Sequence, residues 1–181
     1  MDALVEHKTN QLTHLTEKLF EDIYNTYSKN VYNYIAYRIS NHHDAEELMQ
    51  SVFEKLITTW KPNKKIISIE AWLITIAKNI TTDYYRKKRL THPIESLTNL
   101  ISKEKNPEDI AVINENNKQL VKALSKLKNK ERQIIAMKYA TNLKQTDIAY
   151  ILGITPENVR AISSRAIKKL EKIIKEIENH G

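Results

Sequence analysis

The sequence predicts an all-α protein: two small helical domains joined by a flexible linker, the C-terminal one containing a helix-turn-helix. Three observations predict this. Apolar residues recur at three-four spacing in nearly every patterned segment, and no strand-forming alternation or internal repeat stands out. The 181 residues contain only two glycines, four prolines and no cysteine. Residues 143–170 read as two short helices broken once, at Gly153, the second with a basic face.

In chain order, residues 1–17 form a polar N-terminal extension. Leu19, Ile23, Tyr27, Val31, Tyr34 and Ile35 then mark a first helix. Ala45, Leu48, Met49, Val52, Phe53, Leu56 and Ile57 give a second, with a wide apolar stripe. A loop at Lys61 to Ser68 contains Pro62. Ile69, Trp72, Leu73, Ile76, Ala77, Ile80 and Tyr84 mark a third helix, ended by Arg86-Lys87-Lys88-Arg89, where cations suit the helix dipole. These three share a core and make a domain over 18–90. Residues 91–106 lack periodicity and read as a linker.

A second domain spans 107–181. Asn106-Pro107-Glu108-Asp109 supplies a cap, a first-turn proline and acids for a helix carrying Ile110, Ile113, Leu120, Val121, Leu124 and Leu127. Asn129 is placed to cap a helix with Ile134, Ile135 and Met137. The helix-turn-helix follows, with Ile148, Leu152, Ile154, Val159 and Ile162 inward and Gly153 at a position requiring positive φ. Thr155-Pro156-Glu157 opens its second helix.

The composition excludes several classes. Two glycines leave almost no room for phosphate-cradling loops or nucleotide-binding turns. Without cysteine there is neither a disulfide nor a thiolate metal site. His42 and His43 match no metal spacing and read as solvated loop residues. No catalytic set, cofactor or metal is expected. The start is polar and no apolar run approaches spanning length, so the reading is cytoplasmic, without membrane insertion. The net charge is +7 and the pI about 9.4. Its clustering at 86–89 and along 157–175 points to nucleic acid.

The outward face of the last helix offers Glu157, Asn158, Arg160, Ala161, Ser164, Arg165 and Lys168. Arg reads guanine, Asn adenine, Glu accepts from cytosine, and Lys grips phosphate. Two further blocks carry a family resemblance. Asp44-Ala45-Glu46-Glu47-Leu48-Met49-Gln50-Ser51-Val52-Phe53 is close to a motif of bacterial RNA polymerase sigma factors. Ala71-Trp72-Leu73-Ile74-Thr75-Ile76-Ala77-Lys78-Asn79, followed by Asp83-Tyr84-Tyr85-Arg86-Lys87, resembles the family's promoter-melting helix. With the helix-turn-helix they stand in the family's order. Their short separation resembles the small two-domain extracytoplasmic-function subgroup.

The resemblance implies an alternative sigma factor and no enzyme. Its partners would be core RNA polymerase, promoter DNA and an anti-sigma factor. By resemblance, Asp44, Glu47, Gln50 and Glu54 bind polymerase. Lys64, Lys65, Lys78, Asn79, Asp83, Arg86 and Lys87 meet the −10 element. Thr155, Glu157, Asn158, Arg160, Ser164, Arg165 and Lys168 meet the −35 element. Pro156 and Ala161 depart from the base-reading residues of the housekeeping helix, which implies a different −35 sequence. The alternative, a stand-alone helix-turn-helix regulator, leaves the blocks at 44–53 and 71–87 without a purpose.

Overall fold

The computed structural model describes residues 16–39, 41–61, 68–91, 120 and 122–178. The regular elements among them are helices: α1 (Glu17–Arg38), α2 (His42–Thr59), α3 (Ile69–Thr91), α4 (Asn129–Ala140), α5 (Gln145–Leu152) and α6 (Pro156–Glu178). A short helical piece at 122–125 precedes α4. Most of the expected N-terminal extension, the loop at 62–67 with Lys64 and Lys65, the linker from residue 92 and the helix start at 106–109 lie outside the described residues.

Side-chain caps set several helix starts. Thr16 Oγ1 accepts from the Leu19 N–H at 3.2 Å, Asn41 Oδ1 from Asp44 at 3.0 Å, and Ser68 Oγ from Ala71 at 3.1 Å. Each such cap contributes about 1 kcal/mol. At α4 and α5 an acid three residues inside reaches back instead. The Lys128 N–H donates to Glu131 Oε2 at 2.9 Å, and the Lys144 N–H to Asp147 Oδ2 at 3.1 Å. Asn129 therefore does not cap α4, as the sequence suggested. It is the first helical residue, because Glu131 satisfies the N–H of Lys128.

The apolar stripes of α1, α2 and α3 meet as expected around Val31, Tyr34, Ile35, Val52, Leu56, Leu73 and Ala77, all sealed from solvent. Leu19 and Ile57 were expected on those stripes but are exposed; each lies in a terminal turn of its helix. Ile74 is the reverse case. It lies off the α3 stripe yet is fully buried, so α3 is covered on a second side.

That cover is the C-terminal half. One continuous apolar core runs from α1–α3 into Ile134, Ala136, Met137, Leu143, Ile148 and Val159. A second, smaller core joins Ala123, Leu124 and Leu127 to Ile135 of α4 and to Ala166, Leu170 and Ile173 of α6. It explains why α6 continues well past the helix-turn-helix.

Candidate nucleic-acid interface

The turn between α5 and α6 rests on Gly153, which adopts φ 63° and ψ 39°. A Cβ there would meet nothing within 4 Å, so the requirement for glycine is backbone conformation and not space. The Ile154 N–H returns to the Ala149 carbonyl at 3.0 Å and closes the end of α5. Gln145 Nε2 donates to the Pro156 carbonyl at 2.5 Å, tying the starts of the two helices together. Lys138 of α4 donates to the buried Ser163 Oγ at 3.1 Å and fixes α6 from behind.

So held, α6 turns Glu157, Asn158, Arg160, Ala161, Ser164, Arg165 and Lys168 to solvent. Thr155, also exposed, caps the helix: its Oγ1 accepts from the Asn158 N–H at 3.3 Å. The Glu157 carboxyl is held below the usual range by its own backbone N–H and the Thr155 hydroxyl. It stays an anion and can only accept hydrogen bonds.

On α3, Asn79, Asp83, Arg86 and Lys87 lie exposed, with Arg86 and Asp83 paired at 3.1 Å. Lys78 does not join them. It is half-buried, and its Nζ donates to the Ile151 carbonyl at the end of α5, 3.2 Å away. Trp72 is half-buried against Trp60, ring centres 5.8 Å apart.

On α2, Glu46, Glu47, Gln50 and Glu54 are exposed and Asp44 is half-buried. His42 and His43, expected in a loop, instead open the helix, where Asn41 caps it. Each histidine pairs with the acid one turn on: His42 Nε2 with Glu46 at 3.2 Å, His43 Nε2 with Glu47 at 3.3 Å. The Tyr32 hydroxyl meets His42 Nδ1 at 2.5 Å, and burial, then Glu46, raises the tyrosine's pKa.

Several residues here carried no functional signal in the sequence. The Tyr84 hydroxyl donates to Asp44 Oδ2 at 2.5 Å, and Lys88 Nζ donates to the same hydroxyl at 3.1 Å. This chain of bonds connects the acidic end of α2 to the basic end of α3. Asn30, Glu70, Arg38 and Arg132 lie where the two halves meet. Asn30 and Arg38 share one line of four-residue spacing along α1; no such spacing marks Arg132.

Comparison with known proteins covers both halves. Residues 23–91 match the family model for Sigma-70 region 2, and residues 123–172 that for Sigma-70, region 4. The chain is 26% identical to the ECF RNA polymerase sigma factor SigW of Bacillus subtilis, over 98% of this chain and 100% of that one. It is 24% identical to the ECF sigma factor BldN of Streptomyces coelicolor over 86% of this chain, and the match spans 60% of BldN's length. Among solved structures, the sigma factor RpoE of Bartonella quintana, crystallised with the anti-sigma factor NepR, has the same fold. The TM-score is 0.69 at 20% identity, covering 86% of this chain and 96% of that one. The α1–α3 unit and the α4–α6 unit thus each carry a named region, in order: the chain belongs to the sigma-70 family of RNA polymerase sigma factors, with the two-region build of its extracytoplasmic-function group.

Proposed function

We propose that this chain acts as an alternative sigma factor that recruits core RNA polymerase to a subset of promoters through −10 and −35 contacts. It makes or breaks no covalent bond itself. The observation that carries this reading is the separation of charge between two outward faces. The exposed face of α2 is acidic, while that of α6 presents Arg160, Arg165 and Lys168. The first suits a basic protein surface and the second suits DNA.

In this reading the N-terminal unit, about 18–90, docks on polymerase through Asp44, Glu47, Gln50 and Glu54. Its α3 holds the opened −10 strand through Asn79, Asp83, Arg86 and Lys87, with Lys78 available once the halves part. Lys64 and Lys65, before α3, act on phosphates. The C-terminal unit, about 107–181, lays α6 in the major groove of the −35 element. There Thr155, Glu157, Asn158, Arg160, Ser164, Arg165 and Lys168 contact bases and phosphates. RpoE of Bartonella quintana was crystallised with an anti-sigma factor; a protein of that kind is the inhibitor proposed for this chain.

The test is capture of purified core polymerase by the full chain. Wild type should bind. The combined change Glu47→Ala and Gln50→Ala should weaken binding by at least about tenfold without unfolding the protein, since surface substitutions cost little stability. Failure of wild type to bind core, together with tight binding to duplex DNA alone, would favour a stand-alone regulator.

A further inference from the structure

Arg38, the last residue of α1, is only 2% exposed, yet its Nε and Nη1 have no hydrogen-bond partner. Arg132 of α4 lies beside it. Its Nη1 donates to the Arg38 carbonyl at 3.4 Å, and its Nη2 to the carbonyls of Ser125 and Leu127 at 2.7 and 3.3 Å. Its Nε is buried and again has no partner. The Tyr85 hydroxyl is spent on the same Arg38 carbonyl. Tyr34, one turn back from Arg38 on α1, is fully buried, and burial raises its pKa against the pull of Arg38, so it stays a neutral phenol.

Two cations thus lie together with no anion to balance them. Among the described residues neither guanidinium forms an ion pair. Glu131, next to Arg132 in the chain, is committed to the Lys128 N–H and to Lys169. Glu70, a buried acid on α3, is committed to Asn30 and the Asn142 N–H. Burial lowers the Arg132 pKa, Tyr85 acts against this, and the neighbouring Arg38 lowers it further. A buried charge left unpaired is strongly unfavourable. Sealed polar groups without a protein partner commonly answer to a water or an ion.

We propose that Arg38 and Arg132 form an anion site that takes a free oxyanion of the phosphate class. Three open nitrogens on two side chains call for an acceptor with several oxygens. Two positive charges call for an ion that carries more than one negative charge. Guanidinium N–H groups match phosphate oxygens in geometry, and the bonds are charge-assisted. The seal around Arg38 suits the ion alone and not a nucleotide; Arg132, only half-buried, marks the side from which it enters. Bound there, the ion bridges α1 and α4, so folding and anion binding are linked. The site uses no residue of the outward face of α6 and does not depend on the sigma reading.

The test is thermal melting of the full chain against rising inorganic phosphate, with sodium chloride holding the ionic strength constant. Wild type should gain Tm along a saturating curve, by about 5–10 °C at about a hundred times the Kd. Phosphate also stabilises proteins by exclusion from their surface, but that effect does not saturate. Arg38→Met and Arg132→Met should each abolish the saturating part. Without phosphate, Arg38→Met should melt no lower than wild type, because an unbalanced buried cation has been removed. Arg165→Ala, on the outward face of α6, should keep the saturating curve, which separates this site from the DNA-binding face. Adenosine monophosphate should shift Tm less than phosphate at the same concentration; an equal shift would overturn the choice of the free ion. Phosphorus NMR reads binding without reference to stability: wild type should broaden the inorganic phosphate signal and Arg38→Met should not. A wild-type Tm without a saturating dependence on phosphate, or a saturating curve that survives both methionine variants, overturns the proposal. So does a lower Tm for Arg38→Met in phosphate-free buffer, which would mean that the cation is already balanced.

Discussion

Tyr84 occupies a position where an apolar stripe alone would accept phenylalanine. Its hydroxyl is bonded to Asp44 of α2 and to Lys88 of α3, so removing that oxygen tests both bonds together. A hydrogen bond to a carboxylate contributes about 1.5–3 kcal/mol when well buried, less at this half-buried site. Tyr84→Phe should cost about 1 kcal/mol and lower Tm by roughly 2–4 °C for a chain of this size. If Asp44 docks on polymerase, the same variant should also weaken core binding, which capture measures directly. On α6, Arg160→Ala and Arg165→Ala should each cost about 1–3 kcal/mol of −35 binding where the arginine reads a base. Lys168→Ala, a phosphate contact in this reading, should reduce the salt slope of binding by about one and leave sequence preference intact. Titrations at several salt concentrations separate the two classes. The outward residues of α6 were legible because their helix has a strong apolar back, which fixes its front. Lys78 was not, because a lysine beside apolar residues reads as solvated, and only the seated C-terminal half shows it bonded to a carbonyl.

At the scale of elements, the caps and the turn make the sharper predictions. Gly153 takes a left-handed conformation that costs another residue about 1–2 kcal/mol. Gly153→Ala should therefore lower Tm by roughly 2–8 °C, read by circular dichroism, although the site has room for the methyl group. Glu131 supplies a pH dependence. Burial acts to raise its pKa, but the Lys128 N–H and Lys169, 3.4 Å away, outweigh it and hold the carboxyl below its ordinary value. A carboxyl whose pKa is lower folded than unfolded stabilises the fold above the unfolded value, about 4.3. That contribution is lost as pH falls through the folded value. Wild type should thus lose stability below about pH 4.3 more steeply than Glu131→Gln. Thermal melts from pH 6 to pH 3 check this. The helices themselves were legible from three-four spacing. The start of α4 was misplaced by one residue because asparagine is the usual cap, while here a glutamate reaches back to a lysine N–H.

For the whole molecule, the sequence shows two helical units in sigma order, and the comparisons place a named region on each. What it did not show is that the units meet. Stripe reading assigns each helix one buried side, and α3 has two. Glu70 and Lys78 flank Ile74, so the line that faces the other half looks like an ordinary solvent face with one stray isoleucine. Arg38 ends α1 where a cation suits the dipole, yet it is sealed from solvent. The central claim is promoter-directed initiation, and its most direct measurement is in vitro transcription by purified core polymerase across a promoter library, with and without this chain. The account predicts initiation only when the chain is present, from promoters sharing one −10 and one −35 sequence at fixed spacing. Transcripts unchanged by the chain, or a chain that binds duplex DNA tightly and never associates with core polymerase, would contradict it.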